Sequence, residues 1–320
     1  MILAGDIGGT KTNLGLFDVQ QGKLNRVAEK RYPSREHKGL EEIVADFVRV
    51  TGAKPIAAGF GIAGPVVDNR VRTGNLPWVI DGATMAKQLG LERVRLLNDL
   101  EAAAFGISVM GPTDLETLHA GVEAPQAPRV VIAAGTGLGE AILFWDGTKH
   151  IPTATEGGHA DFAPHTDQQV DLWKFIKARS EFVSNELILS GRGFKTLHEF
   201  LNPGVRHPGF EDSSIDPAPE ITRMALSKEC PVCVAALDLW VEIYGSEAGN
   251  LVVRSVARGG VFVAGGIAIK ILPVLKNGRF AAALQQKEKM TDFLAQVPIY
   301  VVLDEECPLK GAAYAAWKGL

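Results

Sequence analysis

One arrangement occurs twice in the sequence: a short apolar segment, a loop containing glycine and threonine, and a second apolar segment. The first copy begins the chain and contains GDIGGT at 5–10. The second contains AGTGLG at 134–139, between apolar runs at 130–133 and 141–145. Glycine has no Cβ, so backbone N–H groups in such loops can approach an anion closely. The repeat predicts two similar half-domains facing one nucleotide, with phosphate-binding residues Gly5, Asp6, Ile7, Gly8, Gly9, Thr10, Gly135, Thr136 and Gly137.

Asp6 is the unusual member of the first loop, because a carboxylate repels a phosphate unless a cation lies between them. It therefore indicates Mg²⁺–nucleotide chemistry, with the metal bound to Asp6 through water, rather than plain anion binding. The alternative is structural, since each loop alone is also compatible with a tight glycine turn between two strands. The presence of two loops favours the nucleotide interpretation.

Length, charge and cysteine content restrict the class of protein. The 320 residues suffice for two ordinary domains, and 46% hydrophobic residues supply a sizeable core. A net charge of −4 gives no basic surface, so neither nucleic acid nor an anionic membrane is an expected partner. The three cysteines cannot all pair, which is typical of a reducing cytoplasm. Neither a signal peptide nor a membrane span is predicted.

The order of predicted elements indicates an α/β protein with mixed sheets. In the first part, strands are expected at 2–5, 13–18, 24–32, 56–62 and 94–97, and helices at 40–50, 82–89 and 100–110. In the second part, strands are expected within 129–153 and at 260–264, and helices at about 167–180, 184–201, 218–228 and 231–257.

Three further segments connect or extend these elements. Residues 111–128 are rich in Gly, Pro and Ala and are predicted to cross between domains. The stretch 202–219 carries four prolines and is predicted to be a surface excursion. A last strand at 299–303 and a last helix at 309–317 could return to either domain.

Asn98 and Asp99 stand where a predicted strand gives way to a helix. Ligands of open α/β sheets bind at the carboxyl ends of strands, so Asp99 could accept the proton of a substrate hydroxyl while Asn98 bonds a neighbouring hydroxyl. Asn and Asp are also common helix N-caps. The two interpretations are compatible, because one residue can cap while the other binds.

Glu156 and His159 flank two glycines, so both side chains can point past a bare backbone, as the recognition of a polyol requires. A zinc site is disfavoured, because further His or Cys ligands are missing nearby; a glycine turn with a solvated His is the structural alternative. Glu186 is either a further hydroxyl ligand or a solvated glutamate in a short helix. Ser184 would cap that helix and Gly191 would end it.

Two glycine- or cysteine-containing turns remain. FVAGGIA at 262–268 is a buried strand that ends in Gly265 and Gly266, where an adenine or a ribose could lie on the backbone; an ordinary βα turn is the alternative. The C-x-x-C of Cys230 and Cys233 is interpreted as a pair of small helix residues, rather than as a redox motif or half of a zinc site.

Taken together, these motifs resemble the bacterial ATP-dependent glucokinases of the actin-like ATPase and sugar kinase superfamily. The resemblance covers nearly the whole chain. It rests on GDIGGT at 5–10, AGPV at 63–66, NLPW at 75–78, LLND at 96–99, AGTGLG at 134–139, EGGHADFAP at 156–164, ELILSG at 186–191 and FVAGGIA at 262–268.

The resemblance implies a fold: two actin-like (ribonuclease H-like) α/β domains with mixed sheets flanking a substrate cleft, with the last helix packed on the first domain. We accordingly expect a small domain of residues 1–110 with 300–320, a large domain of residues 111–299, and a homodimer. Repressor-type sugar kinases add a cysteine-rich zinc loop after their E-x-G-H motif. No cysteine occurs in residues 1–229, so no structural zinc is expected.

The resemblance also implies the reaction. Asp99 matches the catalytic base that acts on the 6-hydroxyl of D-glucose, with MgATP as phosphoryl donor. The family's other glucose ligands match Asn98, Glu156, His159 and Glu186, and Asn75 of NLPW is added to them. The family's adenosine motif matches Gly265 and Gly266. The alternatives are a kinase for another hexose and a non-catalytic sugar sensor.

Overall fold

The structure is a computed structural model that describes residues 1–203 and 216–319. It divides into two compact units. The first consists of Met1–Asp114, His150–Ala154 and Asp304–Leu320, and the second of Leu115–Lys149 and Thr155–Leu303. Most of the expected excursion at 202–219 lies outside the described residues. No helix in the described ranges is long and apolar enough to cross a membrane.

The first unit is built on a mixed sheet. Its strands are β1 (Ile2–Ile7), β2 (Lys11–Gln20), β3 (Lys23–Pro33), β4 (Ala57–Ile62), β5 (Arg70–Arg72), β6 (Val79–Asp81) and β7 (Arg93–Asn98), and its first helices are α1 (Leu40–Thr51), α2 (Gly82–Leu89) and α3 (Asp99–Ile107). The main sheet has the order β3-β2-β1-β4-β7, in which β1, β4 and β7 are parallel and the β1–β2–β3 meander is antiparallel. This confirms the predicted mixed α/β architecture.

The second unit also contains a mixed sheet. Its strands include β8 (Leu115–His119), β9 (Arg129–Ala134), β10 (Leu138–Trp145), β12 (Val261–Ala264) and β13 (Ile299–Val302), while β11 (His150–Thr155) is divided between the units. Five of these strands follow the order β10-β9-β12-β13-β8. The sequence did not indicate β8, because its residues are only half-buried and lack a clear apolar alternation.

Helices account for most of the rest of the second unit. They are α4 (Asp167–Lys177), α5 (Gly191–Leu201), α6 (Ala218–Leu226), α7 (Pro231–Ser255), α8 (Gly266–Lys270), α9 (Leu272–Leu275), α10 (Arg279–Gln285) and α11 (Thr291–Leu294). The 25-residue helix α7 is buried over most of its length and forms the centre of the larger core. A final helix, α12 (Cys307–Lys318), belongs to the first unit.

The last strand and the last helix belong to different units. β13 pairs with β12 and β8, so residues 300–303 lie in the second unit and not with the small domain expected at 300–320. Helix α12 packs on β1, β4 and α3 of the first unit through a row of alanines. The boundary therefore falls between the strand and the helix, because each element buries its apolar residues in a different core.

Glycine allows α12 to approach the sheet closely. A Cβ on Gly59 of β4 would lie only 2.1 Å from the carbonyl oxygen of Ala312. The contact is with backbone, which cannot move aside as a flexible side chain can. This interface therefore depends on the absence of a side chain at residue 59.

We expect Gly59→Ala to lower the free energy of unfolding by about 1–3 kcal/mol or more, because overpacking forces the helix away from the sheet. Gly74→Ala is the matched control, since a Cβ there meets no atom within 4 Å. Urea unfolding of both variants and of the parent protein measures the effect. Equal stability of the two variants would contradict the close packing of α12.

Candidate functional site

The carboxyl ends of three parallel strands meet at one edge of the first unit's sheet. Ile7 of β1 lies opposite Ile62 of β4, which in turn lies opposite Asn98 of β7. The glycine loop after β1 and the Asn98–Asp99 pair therefore lie at the same edge, where α/β proteins bind ligands. The charge of Asp99 is also close enough to contribute to raising the pKa of Asp6.

The first glycine loop consists of residues 8–10, since the predicted residues Gly5, Asp6 and Ile7 belong to β1. Ser34 holds this loop in place. Its hydroxyl donates to the carbonyl oxygen of Gly8 at 2.8 Å, and its N–H donates to that of Thr10 at 3.0 Å. No local pattern points to Ser34, because the contact depends on how β3 returns along β2.

Asn75 packs directly on the same loop. A Cβ on Gly9 would lie 2.8 Å from the Cβ of Asn75, so glycine here permits close packing rather than an unusual backbone conformation. Ile7, Gly8, Gly9 and Asn75 line one small pocket of the first unit. A predicted sugar ligand and a predicted phosphate loop are thus neighbours.

Asp6 is an acid with an altered proton affinity. Burial, and then the charge of Asp99, raise the pKa of Asp6 from 3.8 to about 6, while Arg31 acts in the opposite direction. Two carboxylates at one sheet edge offer the oxygen donors that Mg²⁺ prefers. The residues at this edge therefore fit a divalent cation beside Asp6.

Asn98 is the N-cap of α3, as one interpretation of the sequence predicted. Its Oδ1 accepts hydrogen bonds from the N–H groups of Leu100 at 2.8 Å and Glu101 at 3.4 Å, and its Nδ2 donates to the carbonyl oxygen of Gly64 at 3.1 Å. Oδ1 of Asp99 accepts from the N–H of Leu100 at 2.9 Å. The helix N-terminus thereby fixes the direction of both side chains.

In the second unit, the first residue of β10 holds two of the predicted site segments. The N–H of Leu138 donates to Oε2 of Glu186 at 3.0 Å. A Cβ on Gly137 would lie 2.3 Å from that same oxygen, and one on Gly158 would lie 2.1 Å from the carbonyl oxygen of Leu138. The second glycine loop, the Glu186 segment and the turn after Glu156 are therefore in direct contact.

Glu156 and His159 bracket a short 3₁₀ turn, Gly157–His159. Their side chains are 63% and 65% exposed, and Oε2 of Glu156 lies 4.0 Å from Nε2 of His159. A β-bridge between Asp161 and Ser184 keeps this turn beside the segment that carries Glu186. The second unit thus brings three predicted sugar ligands together, with two of them accessible to hydroxyl groups.

The local structure around Glu186 differs from the prediction of a helix over 184–201. Asn185–Leu187 is a single 3₁₀ turn, Ser184 makes no side-chain capping bond, and Gly191 begins α5 instead of ending a helix. Residues 188–190 are all buried, and three consecutive buried residues do not fit one face of a continuous surface helix. Glu186 lies in this turn and is held by the backbone of β10.

Glu140 packs against the turn that follows Glu156, and no sequence motif indicated this residue. A Cβ on Gly157 would lie 2.0 Å from Oε2 of Glu140, and neither carboxylate oxygen of Glu140 has a hydrogen-bond partner among the described residues. Burial, and then the charge of Glu247, raise the pKa of Glu140 to about 7, while Arg254 acts in the opposite direction. A buried acid whose carboxylate has no hydrogen-bond partner among the described residues therefore lies against a predicted sugar-binding turn.

A pocket of about 290 Å³ in the second unit adjoins the second glycine loop, and its lining includes Gly135, Thr136, Arg192 and Ile267. It forms because β9 and β12 are parallel neighbours, so the loops that follow them lie side by side. Gly265 adopts a φ of 90° there, a conformation that favours glycine. The pocket brings the predicted phosphate loop close to the predicted adenosine turn, and Arg192 adds a cation that the motifs did not reveal.

Comparison of the sequence with known proteins gives one consistent result. The model of the family described as Glucokinase matches residues 3–318. The glucokinase of Nostoc sp. is 35% identical over 337 aligned residues, which cover 99% of this chain and 98% of the relative. The glucokinase of Neisseria gonorrhoeae is 34% identical, and the alignment covers 98% of this chain and 94% of the relative.

Solved structures agree with the sequence comparison. A glucokinase from an Antarctic psychrotroph superposes with a TM-score of 0.88 at 27% identity and covers 99% of this chain and 98% of that one. A ROK family glucokinase from Streptomyces griseus, solved with glucose and AMPPNP, has a TM-score of 0.66 at 21% identity, with coverage of 99% of each chain. The second likeness is evidence for the fold alone.

The pKa of Glu140 predicts a pH dependence of stability. Because the folded-state pKa of about 7 exceeds the ordinary 4.5, the folded protein binds this proton more tightly than the unfolded chain does. The stabilisation is complete below about pH 4.5 and is lost as the pH rises through 7. We expect the parent protein to lose about 2–3 kcal/mol more than Glu140→Gln between pH 5 and pH 8.

Denaturant unfolding of both proteins at the two pH values measures this difference, with Glu181→Gln as the control because residue 181 is exposed. If the free energy of unfolding depends on pH in the same way for Glu140→Gln and the parent protein, the pKa of Glu140 is not raised in the folded state.

Proposed function

Because this chain belongs to the glucokinase family and is an ATP-dependent hexose kinase, we propose that Asp99 is its general base. In this mechanism Asp99 accepts the proton of the 6-hydroxyl of D-glucose as that oxygen attacks the γ-phosphorus of ATP. The bond from phosphorus to the β,γ-bridging oxygen breaks, which releases ADP and glucose 6-phosphate.

The position of Asp99 carries this proposal. It lies at the carboxyl edge of the first unit's sheet, beside the glycine loop after β1, and the N–H of Leu100 holds its Oδ1. A base whose direction is fixed before substrate binds needs little rearrangement during proton transfer. The charge of Asp99 also acts on Asp6, which is the expected arrangement where a base and a metal ligand serve the same phosphoryl group.

We propose that Glu156, His159 and Glu186 of the second unit bind hydroxyl groups of the sugar. Asn98 and Asn75 of the first unit are also proposed as sugar ligands. Carboxylates accept hydrogen bonds from hydroxyls, whereas an imidazole can donate or accept. The exposure of Glu156 and His159 and the contact of Glu186 with β10 support this assignment. Asn98 keeps one N–H of its amide for a ligand after the capping bonds are counted.

ATP is proposed to occupy the pocket of the second unit, with its phosphates on the loop at 135–137 and its adenosine near Gly265 and Gly266. The loop at 5–10 of the first unit is also proposed to bind phosphate. The lining of that pocket by Gly135, Thr136 and Ile267 supports this placement. Asp6 would hold Mg²⁺ through water, and the bound ion would neutralise charge on the phosphate oxygens. Burial raises the pKa of Asp6, so protons would compete with Mg²⁺ for this carboxylate as the pH falls.

We further propose that the protein acts in the cytoplasm, supplies glycolysis and forms a homodimer. None of its three cysteines forms a disulfide, which suits a reducing compartment. The homodimer rests on the resemblance to the bacterial enzymes, and light scattering of the purified protein tests it.

Replacing the proposed base should abolish most turnover while leaving the sugar bound. We expect Asp99→Asn to lower kcat by about 10²–10⁴-fold with a nearly unchanged glucose Kd, because the amide cannot accept the proton. A coupled ADP-release assay over a panel of hexoses measures turnover, and calorimetry measures glucose binding. An Asp99→Asn enzyme with near-normal turnover would rule out the proposed role.

The two glutamates should differ in their effects on the two substrates. Glu156→Ala removes an exposed carboxylate that makes no contact with the second glycine loop in the structure, and it is expected to raise the KM for glucose about tenfold or more. Glu186→Ala removes a proposed sugar contact and also the hydrogen-bond acceptor of the Leu138 N–H, which directly follows the second glycine loop. It should therefore raise the KM for both glucose and MgATP. Glu181→Ala is the control for general effects of removing a glutamate. Selective loss of glucose affinity in both variants would exclude the link between Glu186 and the loop.

A further inference from the structure

A cluster of metal-ligating side chains lies in the second unit, away from the groups assigned to phosphoryl transfer. One ligand atom each from His198, Cys230 and Cys233 lies within 4.8 Å of the others, and within the described residues this is the one group of its kind. We propose that these three residues bind a thiophilic, four-coordinate cation of the zinc class.

The beginning of α7 places the two cysteines. Cys230 is the N-cap of α7, Pro231 is its first residue, and Cys233 follows one turn later. Residues three apart in a helical turn face the same side, so both sulfurs point to the same region.

Helix α5 supplies the imidazole from a distant part of the sequence. Phe194, one turn before His198, stacks on Trp240 of α7 with ring centroids 5.0 Å apart and an interplanar angle of 20°. Leu197 and Leu237 are also buried in the same core. This packing fixes α5 against α7 and so holds His198 beside the C-x-x-C.

The separations suit tetrahedral coordination. Zinc–sulfur bonds of about 2.3 Å and zinc–nitrogen bonds of about 2.0–2.1 Å place neighbouring ligand atoms about 3.6–3.8 Å apart. The three atoms therefore need only small side-chain rotations to share one ion. Two thiolates and a neutral imidazole balance the charge of a divalent cation, and three protein ligands leave a fourth position open for water or a small ligand.

Burial and charge around the cluster are also suitable. His198 and Cys233 are 1% and 0% exposed, whereas Cys230 is half-buried and gives access from solvent. Glu220 of α6 is near enough for its charge to act on Cys233. An acidic neighbour favours a cation over an anion, and the half-buried sulfur provides the entry path.

A bound cation would tie α5 to α7. Helix α5 begins at Gly191 and Arg192, which line the pocket described above. The cation would then stabilise the folded second unit and restrain the helix that forms one wall of that pocket. This inference does not depend on the phosphoryl-transfer mechanism.

Cobalt titration of the full-length protein tests the proposal. The protein is reduced, its thiols are counted, and it is stripped with a chelator before Co²⁺ is added. We expect one equivalent to bind, with a thiolate-to-cobalt band in the near ultraviolet and intense visible bands of four-coordinate cobalt. Zn²⁺ should displace these bands and raise the Tm of the stripped protein by several degrees.

Variants assign the ligands. Cys230→Ser and Cys233→Ser should each weaken the near-ultraviolet band, because one of the two thiolate ligands is lost, and His198→Gln should weaken binding by about tenfold or more. Cys307→Ser is the matched control, because Cys307 is a buried free cysteine of the first unit. Circular dichroism and glucose phosphorylation by the stripped Cys230→Ser protein show whether that variant is folded.

The absence of a thiolate-to-cobalt band in the reduced, folded parent protein would overturn the proposal. Retention of the full band in Cys230→Ser, or its loss in Cys307→Ser, would do the same. X-ray absorption of the zinc-loaded protein should show two sulfur ligands and at least one nitrogen ligand, and a shell without sulfur would also contradict it.

Discussion

The backbone of Leu138 at the start of β10 connects the predicted binding segments of the second unit. Its N–H donates to Glu186, and its carbonyl oxygen lies against Gly158. Two residues further along the strand, Glu140 lies against Gly157. Because each contact leaves no room for a Cβ, the turn, the loop and the glutamate are closely packed on one another. A displacement of the backbone in any one of them should therefore disturb both sugar and nucleotide groups.

Two buried acids, Glu140 and Asp6, carry a free-energy cost at neutral pH. Glu140 and Asp6 both have a pKa raised mainly by burial, to about 7 and about 6. Near neutral pH each is held partly or largely ionised in surroundings that disfavour the charge, so neither stabilises the fold there. For Asp6, a cation at the same edge would relieve this cost. For Glu140, only Arg254 provides partial compensation among the charges that act on it.

The sequence predicts the parts of the fold whose signals are local. The amphipathic spacing of residues 40–50 predicts α1, and the two glycine loops predict the hairpins β1–β2 and β9–β10. Asn98 and Asp99 are recognisable because they follow a strand. By contrast, Ser34 becomes important only through the return of β3, and β8 is too weakly apolar to stand out.

Longer-range relationships were predicted less well. Glu140 is an ordinary strand residue until Gly157 and Glu247 cover it. The predicted helix over 184–201 fails because residues 188–190 turn into the core. His198 joins the C-x-x-C only after α5 has packed on α7, so the sequence alone could favour simple packing residues there. In each case the missing information is a tertiary contact.

Helix α12 has a consequence for the order of folding. It follows the whole second unit in the chain, yet it fills the core of the first unit against β1 and β4. On the ribosome, β1–β7 emerge early but must wait for nearly two hundred further residues before their apolar face is covered, whereas the second unit can close as soon as β13 is made. The apolar face of the nascent first unit is thus exposed during synthesis, which creates a period of aggregation risk that ends only when α12 docks.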